Sequence, residues 1–503
     1  MKARRSLLSR AAGPALIALA TLTSCRDAEK ELTAPPVFAA KAPANGGPTV
    51  TSVVPDSSPP GVTLDITVNG SGFAQGSVVT LERQGVPAAK ITTNSTTFLS
   101  PKKLIANITI AADADSGKYD VAVVSSDRKG VGIESFTVAY AIDELGIIGG
   151  TWSRAHAIND RGEVVGASCT SDCLATAFYW SEATGQVDLG GLPGYTRSGA
   201  YAINNRGQVF GSVQCLPGDA ACGGVAKTQL VRWDRVGGSW TLTPVAAGCS
   251  VVRILGDQSQ RFVINNNEQC VVRTSSGLLV QTLSGGTVSN SVPLPSLYPD
   301  GSYVANAISD APMVAGVASA VLERRADGSA SLGPSQPVVW YRRTTGAWAI
   351  LQLGFPSTDL RAVATDISEP DATGRVRVTG YTEYAARRQY SVRAMRWTLE
   401  ADGSGGWRVA SSEVLGSGSQ TGQTAHGWPT AVNSSGDIVG MSGQYVETSA
   451  PVMWPMSGGM GLLPVPGGGA QGRAMDINNA GWIVGAVWDS KNNCDRAAIW
   501  RLR

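Results

Sequence analysis

The chain has 503 residues, and its 41 Lys and Arg nearly balance 39 Asp and Glu, a formal net charge of +2 that makes no case for nucleic acid as a partner. Only two His occur, His156 and His426, and neither falls in a recognisable catalytic triad or metal motif. No amphipathic helix is visible; short Ile/Val-rich runs broken by Gly, Pro and Asn predict an all-β chain.

At the N-terminus, Lys2, Arg4 and Arg5 precede the apolar stretch Ala15-Leu16-Ile17-Ala18-Leu19-Ala20, which is too short to span a bilayer, so residues 1–24 read as a signal peptide. Leu22-Thr23-Ser24-Cys25 looks like a bacterial lipobox, which implies that Cys25 is acylated and becomes the mature N-terminus; a chance Cys after an ordinary signal is the alternative. Several acyl chains on one residue suffice for stable anchoring in a membrane. Arg26 rather than Asp follows, which favours the outer membrane, facing the periplasm or the surface. Four of the 41 basic residues and none of the 39 acidic ones lie in 1–24, so the mature chain carries 37 against 39, a net −2.

Residues 25–47 read as a flexible tether, charged first and then rich in Pro, Ala and Gly. From 48 to 140 the composition changes to strands: Val50-Thr51-Ser52-Val53-Val54-Pro55, Asp65-Ile66-Thr67-Val68-Asn69-Gly70-Ser71-Gly72-Phe73, Leu104-Ile105-Ala106-Asn107-Ile108-Thr109-Ile110 and Gly117-Lys118-Tyr119-Asp120-Val121-Ala122-Val123. Short strands at this density predict a β-sandwich. Their order resembles the IPT/TIG immunoglobulin-like domain, a family that spaces or docks other domains and has no catalytic residues to transfer.

Residues 141–503 carry seven copies of one phrase: a small residue, Ile or Val, Asn or Ser, a turn, then a hydrophobic pair ending in Gly. Ala157-Ile158-Asn159-Asp160 to Val164-Val165-Gly166 is the first and Asp476-Ile477-Asn478-Asn479 to Ile483-Val484-Gly485 the last. The third, Val263-Ile264-Asn265-Asn266 to Val271-Val272-Arg273, is degenerate: Arg273 replaces the Gly, and it alone lacks the Trp that anchors the third strand of the others, from Trp180 to Trp500. Turn residues such as Asn159-Asp160-Arg161-Gly162 predict tight hairpins. The Ile/Val positions are 45, 61, 44, 59, 65 and 45 residues apart, a spacing that matches four-stranded propeller blades. The array starts on a fourth strand, Ile142 to Ile148, and stops after a third, at Trp500, so the two ends are expected to complete one blade together.

This phrase, with Leu-Gly-x-x-Gly-Gly before it and Ala-Phe-x-Trp after it, resembles the bacterial extracellular HAF repeats over roughly 142–503. The resemblance implies a cell-surface setting. The family's His column holds Thr176, Gln229, Gln336, Arg393, Ala450 and Arg496 here, so no role of that His carries over.

Eight Cys less Cys25 leave an odd number. Proximity in an oxidising compartment favours disulfides Cys169 with Cys173, Cys215 with Cys222 and Cys249 with Cys270, leaving Cys494 over; a metal at Cys169 and Cys173 is the alternative, without zinc-like spacing of a second pair. Asp160, Glu163, Asp310, Asp366 and Asp476 recur near the turns, as caps or as Ca²⁺ ligands, but form no dense ladder. No metal or cofactor is called for. The favoured reading is a lipid-anchored binding or scaffold protein, not an enzyme, with the propeller face recognising protein or glycan. The rival is a polysaccharide lyase or glycosidase working in the funnel, which needs carboxylates such as Asp366 and Asp476 to meet across the axis.

Overall fold

The computed structural model describes residues 47–501 apart from 59–62, 112–113, 115–116, 126–127, 139, 247, 254–259, 325–329, 387–388, 417–425, 446–447, 457–459 and 467–470, so Cys25 lies outside the described residues. The chain is all-β, with no α-helix among the described residues.

Strands between Thr49 and Val138 pair only with one another. One sheet takes Thr49–Val54, Thr63–Ser71, Lys103–Ile110 and Ile91–Ser100 in that order; the other takes Ser57–Ser58, Arg128–Val138, Gly117–Ser125, Val78–Arg83 and Val86–Pro87. In Lys103–Ile110 every second residue, from Leu104 to Ile110, is buried, the period of a half-buried strand. Residues of both sheets, among them Ile66, Leu81, Leu104, Val121 and Phe136, form one apolar core.

From Ala141 onwards the pairing repeats. In the first copy Ser153–Ile158, Val164–Cys169, Ala175–Ser181 and Gly185–Asp188 make a four-stranded antiparallel sheet in chain order, and the second, fourth, fifth and sixth copies do the same. The seventh has only Gly472–Ile477, Ile483–Asp489 and Cys494–Arg501, and its outer strand is Ala141–Glu144, with Ile142 opposite Trp500 and Glu144 opposite Ala498. The chain's own order demanded this pairing, because each end alone leaves an unpaired edge.

The terminal Gly of the phrase is set by a close approach. A Cβ at Gly166, Gly316 or Gly485 would stand 2.0, 2.1 or 1.9 Å from a carbonyl oxygen of the copy's first strand. In the third copy the hairpin sets Ile264 against Cys270 as the first copy sets Ile158 against Val164, so Val272, and not Arg273 as the sequence suggested, takes the place of the Gly, and there the regular first strand is lost. Gln269–Thr274, Gly277–Ser284 and Thr287–Pro293 form a three-stranded sheet, and Ile264 makes only an isolated bridge to Cys270. A separate hairpin, Val251–Arg253 with Gln260–Phe262, stands in for the rest.

The Trp anchors join successive copies. Trp233, Trp340, Trp397, Trp454 and Trp500 are fully buried. Each indole N–H donates to a carbonyl in the turn that closes the preceding copy: Leu189 at 3.0 Å, Pro295 at 2.8 Å, Gly354 at 2.8 Å, Gly416 at 2.7 Å and Pro464 at 2.7 Å. A buried indole needs that partner, and its area makes it a large apolar contribution.

Disulfides join Cys215 to Cys222 and Cys249 to Cys270. The expected bond between Cys169 and Cys173 is not made. Their sulfurs lie 3.4 Å apart, and Cys169 Sγ instead accepts the N–H groups of Thr151 at 2.7 Å and Trp152 at 3.3 Å. Cys494 is buried at the start of its strand.

Candidate functional site

The first strands of six copies carry the same irregularity. Register shifts fall between Ala155 and Ala157, Ala200 and Ala202, Ala305 and Ala307, Ala364 and Asp366, Pro429 and Ala431, and Ala474 and Asp476. A bulge of this kind re-aims one side chain. The bulge residues reach into the next copy: His156 Nδ1 is 2.8 Å from the Ala200 carbonyl, Asn306 Nδ2 donates to Ala364 at 2.7 Å, Thr365 Oγ1 to Pro429 at 3.4 Å and Thr430 Oγ1 to Ala474 at 2.8 Å.

The Asn of the phrase explains itself a turn later. Oδ1 of Asn159 accepts the N–H groups of Arg161 and Glu163, both at 3.0 Å, which closes the hairpin. Its Nδ2 donates to the Asn204 carbonyl at 3.0 Å, in the next copy. Asn265 bonds Ser309 at 2.9 Å, Asn433 bonds Asn478 at 3.3 Å, and Asn478 returns to Asn159 at 3.0 Å. A second series runs beside it. The Asp160 N–H donates to Asn205, Asn205 to Asn266, Asn266 to Asp310, Asp310 to Glu369, Ser434 to Asn479 and Asn479 to Asp160.

Two copies put Asp where the others have a small or apolar residue before the Ile or Val. Asp366 Oδ1 accepts Arg261 Nη1 at 2.8 Å, and its Oδ2 accepts the Val432 N–H at 2.9 Å. Asp476 Oδ1 lies 4.0 Å from Arg261 Nη2 and accepts the Ile477 N–H at 3.0 Å, while Oδ2 accepts the Ile158 N–H at 3.0 Å. Arg261 comes from the irregular third copy, at the position held by Ala155, Ala200 and Ala305 elsewhere. Burial pushes Asp476 up to about 7, against the pull of Arg261, and raises Asp366 for the same reason. Two carboxylates thus share one guanidinium.

Cavities of about 200 and 230 Å³ lie on either side of this cluster. The smaller is polar, and its lining includes Asp366, Asp476 and the Asn series. The larger has walls of Val252, Val304, Val317, Val363, Trp428 and Pro429, with Arg261, Asn306, Thr365, Tyr381 and Thr430 as its polar groups. Thr365 of one cavity and Asp366 of the other are consecutive residues. Tyr381 is 6% exposed, and its hydroxyl has no hydrogen-bond partner among the described residues. Burial lifts it to about 12, with the nearby Glu383 charge adding to the effect.

Of the residues singled out by sequence, Asp366 and Asp476 are brought together, and the two His are not part of the cluster. His156 is a bulge residue stacked on Tyr201 at 5.5 Å, and His426 stacks on Trp428 at 5.0 Å and accepts the Val392 N–H. Burial lowers the His426 pKa. Asp160, Asp310 and Glu163 are engaged by protein donors: Asn479, Asn266 and the pair Arg161 and Tyr179. Sequence reasoning missed Arg261, Asn306, Tyr381 and Trp428. Their signal was present only as exceptions to the repeat, above all a basic residue at one small-residue position and acidic residues at two others.

No protein-family model matches the chain, and a search of curated proteins returns no match.

Proposed function

We propose that this is a lipid-anchored, exported binding protein of the HAF-repeat type, in which an immunoglobulin-like sandwich at 48–140 spaces a seven-bladed propeller at 141–503 from an outer membrane. The propeller presents a recognition surface for glycan or protein. The return of the Asn series from Asn478 to Asn159, and the pairing of Ala141–Glu144 with Cys494–Arg501, support a closed array.

The observation that carries the binding reading is the commitment of both central carboxylates. A hydrolytic acid or base must reach a substrate proton. Asp366 is taken by Arg261 and a backbone N–H, and Asp476 by two backbone N–H groups. The cavity on the Arg261 side of the cluster, which neither carboxylate lines, is walled mainly by apolar side chains with a few convergent polar groups, the usual composition of a binding pocket.

A screen on polysaccharide, ester and peptide substrates should give background rates, while an array of immobilised glycans and surface proteins retains the protein. Turnover abolished by one substitution at Asp366, Asp476 or His156 would establish the rival reading, a polysaccharide lyase or glycosidase.

A further inference from the structure

We infer that the 230 Å³ cavity beside Arg261 holds one neutral sugar ring, an inference that rests on the binding reading above. The volume lies just below the ~300–1,000 Å³ of pockets for drug-sized ligands, which suits a single ring.

Charge narrows the ligand first. Arg261 borders the cavity but faces two carboxylates, so an anionic ligand meets no net positive charge. A cation is no better placed, because Arg261 lines this cavity whereas Asp366 and Asp476 line the other one. The occupant is therefore uncharged.

Unclaimed polar atoms narrow it further. The Tyr381 hydroxyl can both donate and accept, and it has no partner among the described residues. Asn306 uses Nδ2 on Ala364, and its Oδ1 accepts nothing among the described residues. Arg261 Nη2 holds Asp476 only at 4.0 Å, which leaves a donor available. An apolar ligand would bury these groups unpaired, at a cost in free energy. A pyranose carries hydroxyls that donate and accept around its rim. Its C–H faces match the Val304 and Val363 walls and the indole of Trp428.

The test titrates the whole protein with the methyl pyranosides of glucose, galactose, mannose and N-acetylglucosamine, and with glucuronate and choline as charged probes, by calorimetry and saturation-transfer NMR. At least one neutral pyranoside should bind saturably at one site. Tyr381→Phe, which removes only the hydroxyl, should weaken it about tenfold, the cost of one hydrogen bond, without changing the melting temperature. Val304→Phe, which fills the cavity, should abolish it. Tighter binding of glucuronate or choline than of every neutral sugar overturns the inference, as does neutral binding indifferent to both variants, or no neutral binding at all. If the immobilised array still retains the protein in that last case, the platform reading stands and only the sugar pocket falls.

Discussion

Arg261 Nη1 donates to Asp366 Oδ1 over 2.8 Å, although 105 residues separate them. Arg261 belongs to the third copy of the repeat, Asp366 to the fifth and Asp476 to the seventh, so one guanidinium ties together copies from across the array. Replacing it with Met leaves two buried carboxylates without a cation and should cost about 3–5 kcal/mol. Adding Asp366→Asn and Asp476→Asn to Arg261→Met removes the uncompensated charge and should recover most of that loss. Denaturant titration of the single and triple variants measures both, and a triple variant no more stable than Arg261→Met would show that the cluster acts by packing.

The same cluster sets a pH dependence. Asp476 is raised to about 7 from the ordinary 3.8, and Asp366 moves in the same direction. The folded protein then holds protons that the unfolded chain has released, so their stabilisation is complete below about pH 4 and is lost as pH rises through about 7. The melting temperature should fall between about pH 4 and about pH 7 and level off above that. Asp476→Asn cannot titrate and should flatten the profile; an equally steep profile in that variant would place the titration elsewhere.

Ile142 stands opposite Trp500, and the Leu145 N–H donates to Ala497 at 2.8 Å. A chain starting at Thr151 lacks the partly buried Ile142 and the buried Leu145, the latter worth about 1.5–3 kcal/mol, and leaves the Cys494–Arg501 strand as an open edge. It should melt at markedly lower temperature and aggregate, whereas a chain starting near Val138 should fold. Equal melting temperatures would mean that this strand pairing contributes nothing to stability.

Replacing Cys25 with Ala should move the protein from the membrane fraction to the soluble periplasmic or culture fraction, because acyl chains on that thiol are its expected anchor. Fractionation followed by immunoblotting reads the outcome, and undiminished sedimentation with membranes would point to a different anchor.

Much of the fold was legible in the sequence, because each element is specified by contacts close along the chain. Alternation in Leu104 to Ile110 gave the strand, and the Asn159 turn gave the hairpin. The order of the pieces predicted that the segment from Ile142 to Ile148 pairs beside the strand of Trp500, since a chain that begins on a fourth strand and ends on a third has one economical way to cover both edges. The pairing of Cys169 with Cys173 was misread: four residues apart they come close, but Cys169 Sγ is held by the Thr151 and Trp152 N–H groups.

The repeat itself, with its Asn, Gly and Trp positions, was determined by the sequence alone, since every copy solves the same local problem with residues a turn or a strand apart. Only the tertiary structure decided what the exceptions to the repeat do. Arg261, Asp366 and Asp476 are single departures in three different copies, and nothing in their own neighbourhoods says that they meet. Their meeting depends on how the copies pack on one another and on the bulges that turn side chains such as Asn306 towards the neighbouring copy, a geometry that no local spacing encodes.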